Sequence, residues 1–237
     1  MQSLIDTLKH FFTDIPGFLT DFVQAHGAWV YGLLFLIIFC ETGLVLLPFL
    51  PGDSLLFTVG ALSVPNDKGE SAFNVWLISG VLIVAAVLGD AVNYHLGKFI
   101  GPKVFKREPG EKAGFLERAL NRKHLDRAHA FFEKYGGKAI ILGRFIPIVR
   151  TFVPFVAGAG AMNYARFALY NVAGAMLWVG ACVAAGYVFG NIPFVKKNFE
   201  LVVIGIIVVS VLPVAFEVLK ARSEAKAAKS AQPPSST

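Results

Sequence analysis

Long apolar runs separated by short charged stretches dominate the chain. Residues 71–89 (SAFNVWLISGVLIVAAVLG) carry no charged side chain, and neither do residues 167–195. A helix crossing a bilayer needs about 20 apolar residues, so the pattern predicts spanning helices over 71–97 and 166–190. A third run, 201–216, is slightly short but continues past Pro213 towards Glu217, which predicts a C-terminal spanning helix over 199–219.

Two further apolar stretches are interrupted. The first, FCETGLVLLPFLPGDSLLF (39–57), contains Glu41, Asp53, Pro48 and Pro51. The second, AIILGRFIPIVRTFVPFVAGAGAM (139–162), contains Arg144, Arg150, Pro147 and Pro154. Proline removes a backbone donor and crowds the preceding turn, and in lipid the freed carbonyl needs another partner. Such segments are expected where they are buried in protein or line a wet cavity. The stretches 28–63 and 139–162 therefore read as re-entrant hairpins, two half-helices joined at an irregular tip. Pro48, Pro51 and Gly52 mark the first tip, and Pro147 and Pro154 the second. Kinked spanning helices are the competing reading.

Two segments look amphipathic. Residues 1–27 mix acids with phenylalanines, lack a basic leader and small-residue cleavage site, and suit a helix lying at an interface. ERALNRKHLDRAHAFFEKY (117–135) suits a helix resting on anionic lipid.

Composition makes the membrane assignment firm. Of 237 residues, 55% are hydrophobic and 16% charged, against about 25% charged in soluble domains; the mean hydropathy is +0.61. Between Lys98 and Lys138 there are 11 Lys and Arg against 5 Asp and Glu, an excess equal to the +6 of the whole chain. The positive-inside rule places this loop and the Lys-rich tail, residues 220–237, in the cytoplasm. A cytosolic loop facing anionic lipid explains that charge without nucleic acid. Cys40 and Cys182 each sit inside apolar text, without metal or redox spacing.

The two halves rhyme. TVGALS (58–63) follows the first broken segment and VAGAGAM (156–162) the second; Tyr94–Gly97 and Tyr187–Gly190 close the helices after them. One hairpin plus one crossing per unit makes the second copy enter from the opposite face. The expected fold is thus an all-α integral membrane protein of two inverted-repeat units, each a re-entrant helical hairpin plus a spanning helix. A further C-terminal spanning helix and amphipathic interfacial helices complete it. Inverted repeats of broken helices are a transporter plan with the site near the midplane.

The chemistry follows from charge. An ionised group near the bilayer centre costs at least ~2.5–3.5 kcal/mol, yet the first hairpin carries two acids and the second two bases. Facing tips would bring Glu41 and Asp53 to Arg144 and Arg150 in one polar cavity. Guanidinium groups bind phosphate bidentately, which makes Arg144 and Arg150 candidate phosphate ligands. A carboxyl group in a poorly hydrated site can hold and release a proton, which suits Glu41 and Asp53 to proton coupling. Asp90 and Tyr94, in GDAVNYHLG (89–97), are candidate members of the same network. A charge clamp that merely joins the hairpins is the competing reading, although buried ion pairs stabilise poorly.

FCETGLVLLPFLPGDSLLF, GDAVNYHLG and GRFIPIVRTFVPFVAGAGAMNYARF together resemble the DedA family of bacterial inner-membrane proteins, also called the SNARE-associated or VTT-domain family, from about Gly27 to the basic tail. The resemblance implies two facing re-entrant hairpins and movement of lipids between leaflets, notably the return of undecaprenyl phosphate to the cytoplasmic face. It also implies proton coupling through membrane acids and arginines, at positions matching Glu41, Asp53, Arg144 and Arg150. Many members carry glutamate where this chain has Asp53, which keeps the charge and shortens the reach.

The expected function is proton-coupled translocation of a polyprenyl phosphate across the cytoplasmic membrane, with membrane lipids and protons as partners and no cofactor or metal. A proton-coupled antiporter of small cations or drugs would use the same acids but leaves the arginines without a task. A less selective phospholipid scramblase is a further alternative. An enzyme is not expected, since His10, His26, His95, His124 and His129 all fall outside the central hairpins and no P-loop pattern is present. Small residues along 171–186 (NVAGAMLWVGACVAAG) suit close helix packing within the chain or across a homo-oligomer.

Overall fold

The computed structural model describes residues 19, 25–44, 52–65, 69, 71–105 and 122–192. The C-terminal spanning helix expected over 199–219, the tail 220–237, Pro48, Pro51, most of segment 1–27 and residues 106–121 of the basic loop lie outside these residues. Among the described residues every regular element is helical: α1 (Trp29–Gly43), α2 (Gly52–Leu62), α3 (Val75–Phe105), α4 (Arg122–Tyr135), α5 (Lys138–Gly143), α6 (Pro147–Ala159) and α7 (Tyr164–Gly190).

Two of them, Val75–Gly101 within α3 and Tyr164–Gly190, are long and apolar enough to cross a membrane. Both start where an asparagine caps them. Asn74 Oδ1 accepts from the Trp76 and Leu77 amides at 3.1 Å, and Asn163 Oδ1 accepts from Ala165 and Arg166 at 3.0 and 3.3 Å, which satisfies amides that have no partner within the helix. α3 runs on to Phe105, past the expected end at 97: Gly97 and Gly101 stay out of the left-handed region, and the helix continues through Pro102. Large apolar side chains stay uncovered along both helices, Trp76 at 85% and Leu169 at 70% among them. So much bare apolar surface fits a hydrocarbon surround.

Each interrupted segment yields two short helices. At 15 and 11 residues, α1 and α2 span about 22 and 17 Å, less than the ~30 Å hydrocarbon thickness. In the second segment Pro147 opens α6, where its missing N–H costs nothing. Pro154, expected at a tip, instead lies buried inside α6. Its cost is one hydrogen bond to the Arg150 carbonyl a turn earlier, and the helix carries through. The interruption falls at residues 144–146, between α5 and α6.

Packing is crossed between the two segments. α2 lies on α7 and α6 lies on α3, while α1 lies on α3 and α5 on α7. Glycines set the crossed contacts. A Cβ at Gly60 would strike the Val183 carbonyl and one at Gly186 the Phe57 carbonyl; likewise Gly158 meets Tyr94 and Gly97 meets Phe155. Gly101 and Gly190 in turn abut Ala159 and Ala61. Both long helices therefore present small-xxx-small pairs, Gly97/Gly101 and Gly186/Gly190, which allow backbone-to-backbone approach. Gly97 and Gly186 each meet a carbonyl of the short helix packed on them, those of Phe155 and Phe57.

These contacts also fix directions. Phe57 meets Gly186 and Ala61 meets Gly190, so α2 runs parallel to α7. Phe155 meets Gly97 and Ala159 meets Gly101, so α6 runs parallel to α3. Tyr31 reaches Asn74 while Thr42 reaches Asn93, making α1 parallel to α3. Gly137 and Gly174 of the α5–α7 contact face Tyr170 and Ile141, making α5 parallel to α7. Asn171 bonds Val87 and Phe167 stacks on Tyr94, so α3 and α7 are antiparallel. It follows that α1 opposes α2 and α5 opposes α6.

Two apolar cores result. One gathers Leu34, Ile38, Leu56, Val59, Ile78, Leu82 and Val183; the other gathers Tyr94, Leu125, Ile140, Phe152, Phe155 and Phe167. Along α3 the first ends at Ala86 and the second begins at Tyr94. Asp90 and Asn93, both buried, lie between them.

Candidate functional site

The layer between the cores is where the charges meet. Arg150, in the second turn of α6, donates through Nη1 to Asp53 Oδ1 at 2.9 Å and through Nη2 to Glu41 Oε1. One guanidinium thus ties the end of α1 to the start of α2. Glu41 is 1% exposed, and the Arg150 and Asp53 side chains are 11% and 31% exposed. Gly52 makes room here: a Cβ would displace the Glu41 carboxylate. Asp53, in the first turn of α2, also sits where the helix end is partially positive.

Arg144 behaves differently from expectation. The charge pattern places it with Glu41 and Asp53, but it donates through Nη2 to Asp90 Oδ2 and to Asn171 Oδ1, both at 2.6 Å. Arg144 and Asp90 are less exposed than Arg150 and Asp53, at 4% and 5% of their side chains. Asn171 passes the interaction on by donating to the Val87 carbonyl at 3.0 Å. The reason for the partition is positional. Arg144 follows α5, which lies on α7 beside α3, whereas Arg150 is carried by α6 towards α1 and α2. Gly174 leaves the space in which the Arg144 side chain runs, its missing Cβ falling 3.1 Å from Nε.

Trp178 touches both sets. Its Nε1–H donates to Asp53 Oδ1 at 2.8 Å, and its ring centroid lies 5.9 Å from Arg144 Cζ and 5.4 Å from Arg150 Cζ. Asn93 donates to the Thr42 and Thr151 carbonyls at 3.2 and 2.7 Å, locking α1, α3 and α6 together under the charges. A small cavity lined by Glu41, Thr42, Asp90, Arg144, Arg150, Thr151 and Trp178 remains, close to the room one water needs.

The structure brings Glu41, Asp53, Asp90, Arg144 and Arg150 into one layer, with Gly52 against Glu41. Tyr94 does not belong to it. Its hydroxyl donates to the Met162 carbonyl and its ring stacks on Phe167 at 4.4 Å, within the second core. One residue type carries this difference: a turn beyond Asp90, Tyr94 faces α7 near its start rather than the arginines. Trp178, Asn171, Asn93 and Thr151 were missed, since single polar or aromatic residues in spanning helices have no spacing signature. Cys40 and Cys182 are free, half-buried thiols. Among the described residues no cluster of His, Cys, Asp and Glu could hold a metal.

Long apolar helices packed around a buried layer of paired acids and bases define a helical membrane protein with a charged interior. The VTT domain family matches residues 50–188, and the chain belongs to that family, the DedA family. It is 51% identical over 229 residues to Protein DedA of Escherichia coli K12, covering 96% of this chain and all of that one. It is 42% identical over 195 residues to an uncharacterized membrane protein of Mycobacterium leprae, covering 82% of each. To Inner membrane protein YqjA of Escherichia coli K12 it is 38% identical over 173 residues, covering 73% of each. No solved structure matches the chain.

Proposed function

We propose that the protein is a transporter, not an enzyme, that carries a polyprenyl phosphate such as undecaprenyl phosphate across the cytoplasmic membrane with proton coupling. The observation that carries this reading is the burial of two guanidiniums, Arg144 and Arg150, beside carboxylates inside a membrane protein. A phosphate oxygen can replace a carboxylate oxygen on either guanidinium with the same fork geometry. Glu41 or Asp53, released from Arg150, then takes a proton so that no bare carboxylate stays buried. The isoprenoid tail remains in lipid.

In this reading the α1–α2 and α5–α6 pairs are re-entrant hairpins of two inverted units. The opposed directions within each pair and the matched glycine contacts support it. The basic loop and the C-terminus are cytoplasmic, and the C-terminal segment 199–219 is a third span. A proton-coupled cation antiporter accounts for the acids but places two cations in the path of a third.

The test is reconstitution into vesicles containing a short-chain prenyl phosphate, with a phosphatase added outside. Protein should expose the inner-leaflet pool to hydrolysis, and Arg144→Gln or Arg150→Gln should abolish this. Equal movement of a zwitterionic phospholipid would turn the reading to a scramblase. An inner pool that stays protected, with a pH-dependent cation flux instead, would sink it.

A further inference from the structure

Resting on the reading of this layer as an anion carrier, we infer that Trp178 is a positioning residue of the site: it parks Asp53 when Arg150 moves to the anion and offers one ring face to both guanidiniums.

Three observations converge on it. A single oxygen, Asp53 Oδ1, accepts from both Arg150 Nη1 at 2.9 Å and Trp178 Nε1 at 2.8 Å. The same indole lies within cation–π reach of both guanidiniums. The residue is 2% exposed, so bulk water does not compete for its N–H. Filling the first core would need only an apolar ring; this position uses an N–H and a π face together, and indole supplies both.

The consequence concerns exchange of partners. When a phosphate draws Arg150 away, Asp53 keeps one donor, the indole N–H from α7, and does not swing into the place the anion takes. Glu41 has no such second side-chain donor among its described hydrogen bonds, so the two acids leave Arg150 by different routes. Held by the indole N–H, Asp53 stays on the α2–α7 side and is not traded to Arg144. Since both guanidiniums face one ring, occupation of either by an anion alters the surroundings of the same fluorophore.

The experiment uses that fluorophore. The chain has three tryptophans, and Trp29 and Trp76 are 79% and 85% exposed. The Trp29→Phe/Trp76→Phe protein therefore keeps the site intact and reports from Trp178 alone. In detergent, farnesyl phosphate should change Trp178 emission saturably, and farnesol at equal concentration should not. In vesicles, Trp178→Phe retains a ring and loses the N–H; it should lower prenyl phosphate transport about tenfold, the worth of one hydrogen bond to a charged group, and displace the pH profile. Calorimetric binding of farnesyl phosphate with unchanged Trp178 emission would overturn the inference and leave the carrier reading standing. Wild-type transport with an unchanged pH profile in Trp178→Phe would overturn it too. Failure of farnesyl phosphate to bind at all would overturn both.

Discussion

Arg144 reaches Asp90 across 54 positions of sequence and closes on it at 2.6 Å, with both side chains almost wholly out of solvent. That pairing separates it from Arg150, which holds Glu41 and Asp53. A double-mutant cycle tests the partition. Asp90→Asn and Arg144→Gln should couple by more than about 1 kcal/mol in unfolding free energy, whereas Asp53→Asn and Arg144→Gln should be additive within about 0.5 kcal/mol. Reversible unfolding in detergent measures both.

Removing Arg150 leaves buried Glu41 without its cation. Arg150→Gln should destabilise the protein by roughly 3 kcal/mol, since breaking a buried pair costs more than deleting it. Adding Glu41→Gln should restore much of that stability while transport stays lost. Thermal unfolding alongside vesicle transport separates the two effects.

The crossed glycines should be intolerant of a methyl group. Gly158→Ala and Gly60→Ala place a Cβ against the Tyr94 and Val183 carbonyls, and overpacking of this kind costs about 1–3 kcal/mol. Gly80→Ala and Gly180→Ala, on the long helices α3 and α7 and facing open space, should be neutral or stabilising by up to about 1 kcal/mol. Melting temperatures of the four variants decide it.

Tyr94→Phe deletes a hydroxyl that bonds the Met162 carbonyl at the start of α7. It should lower stability by about 1 kcal/mol and leave farnesyl phosphate affinity unchanged, because Tyr94 lies in the second core. A parallel binding titration and melt would show a site role instead if affinity fell tenfold.

What the sequence revealed, it revealed through cost. Charges and prolines in apolar text are expensive, so Glu41, Asp53, Arg144, Arg150 and Pro147 stood out, and the uninterrupted runs gave α3 and α7 directly. Partner choice was hidden, because which acid meets Arg144 depends on where α5 and α6 diverge, and Pro154 breaks helices in general but not here. Trp178 and Asn171 look like ordinary letters of a spanning helix. Their roles come from neighbours distant in sequence.

The parallel contacts sort the helices into two sets, α1, α3 and α6 on one side and α2, α5 and α7 on the other. Across the seam between those blocks run the Arg150–Asp53 and Arg144–Asp90 bridges; Arg150–Glu41 and Trp178–Asp53 stay within a block. The arginines are thus two electrostatic latches, one fixed to each block. In the carrier reading, an anion that claims both guanidiniums unfastens both at once, while the glycine contacts inside each block and the Asn171–Val87 bond across the seam stay in place.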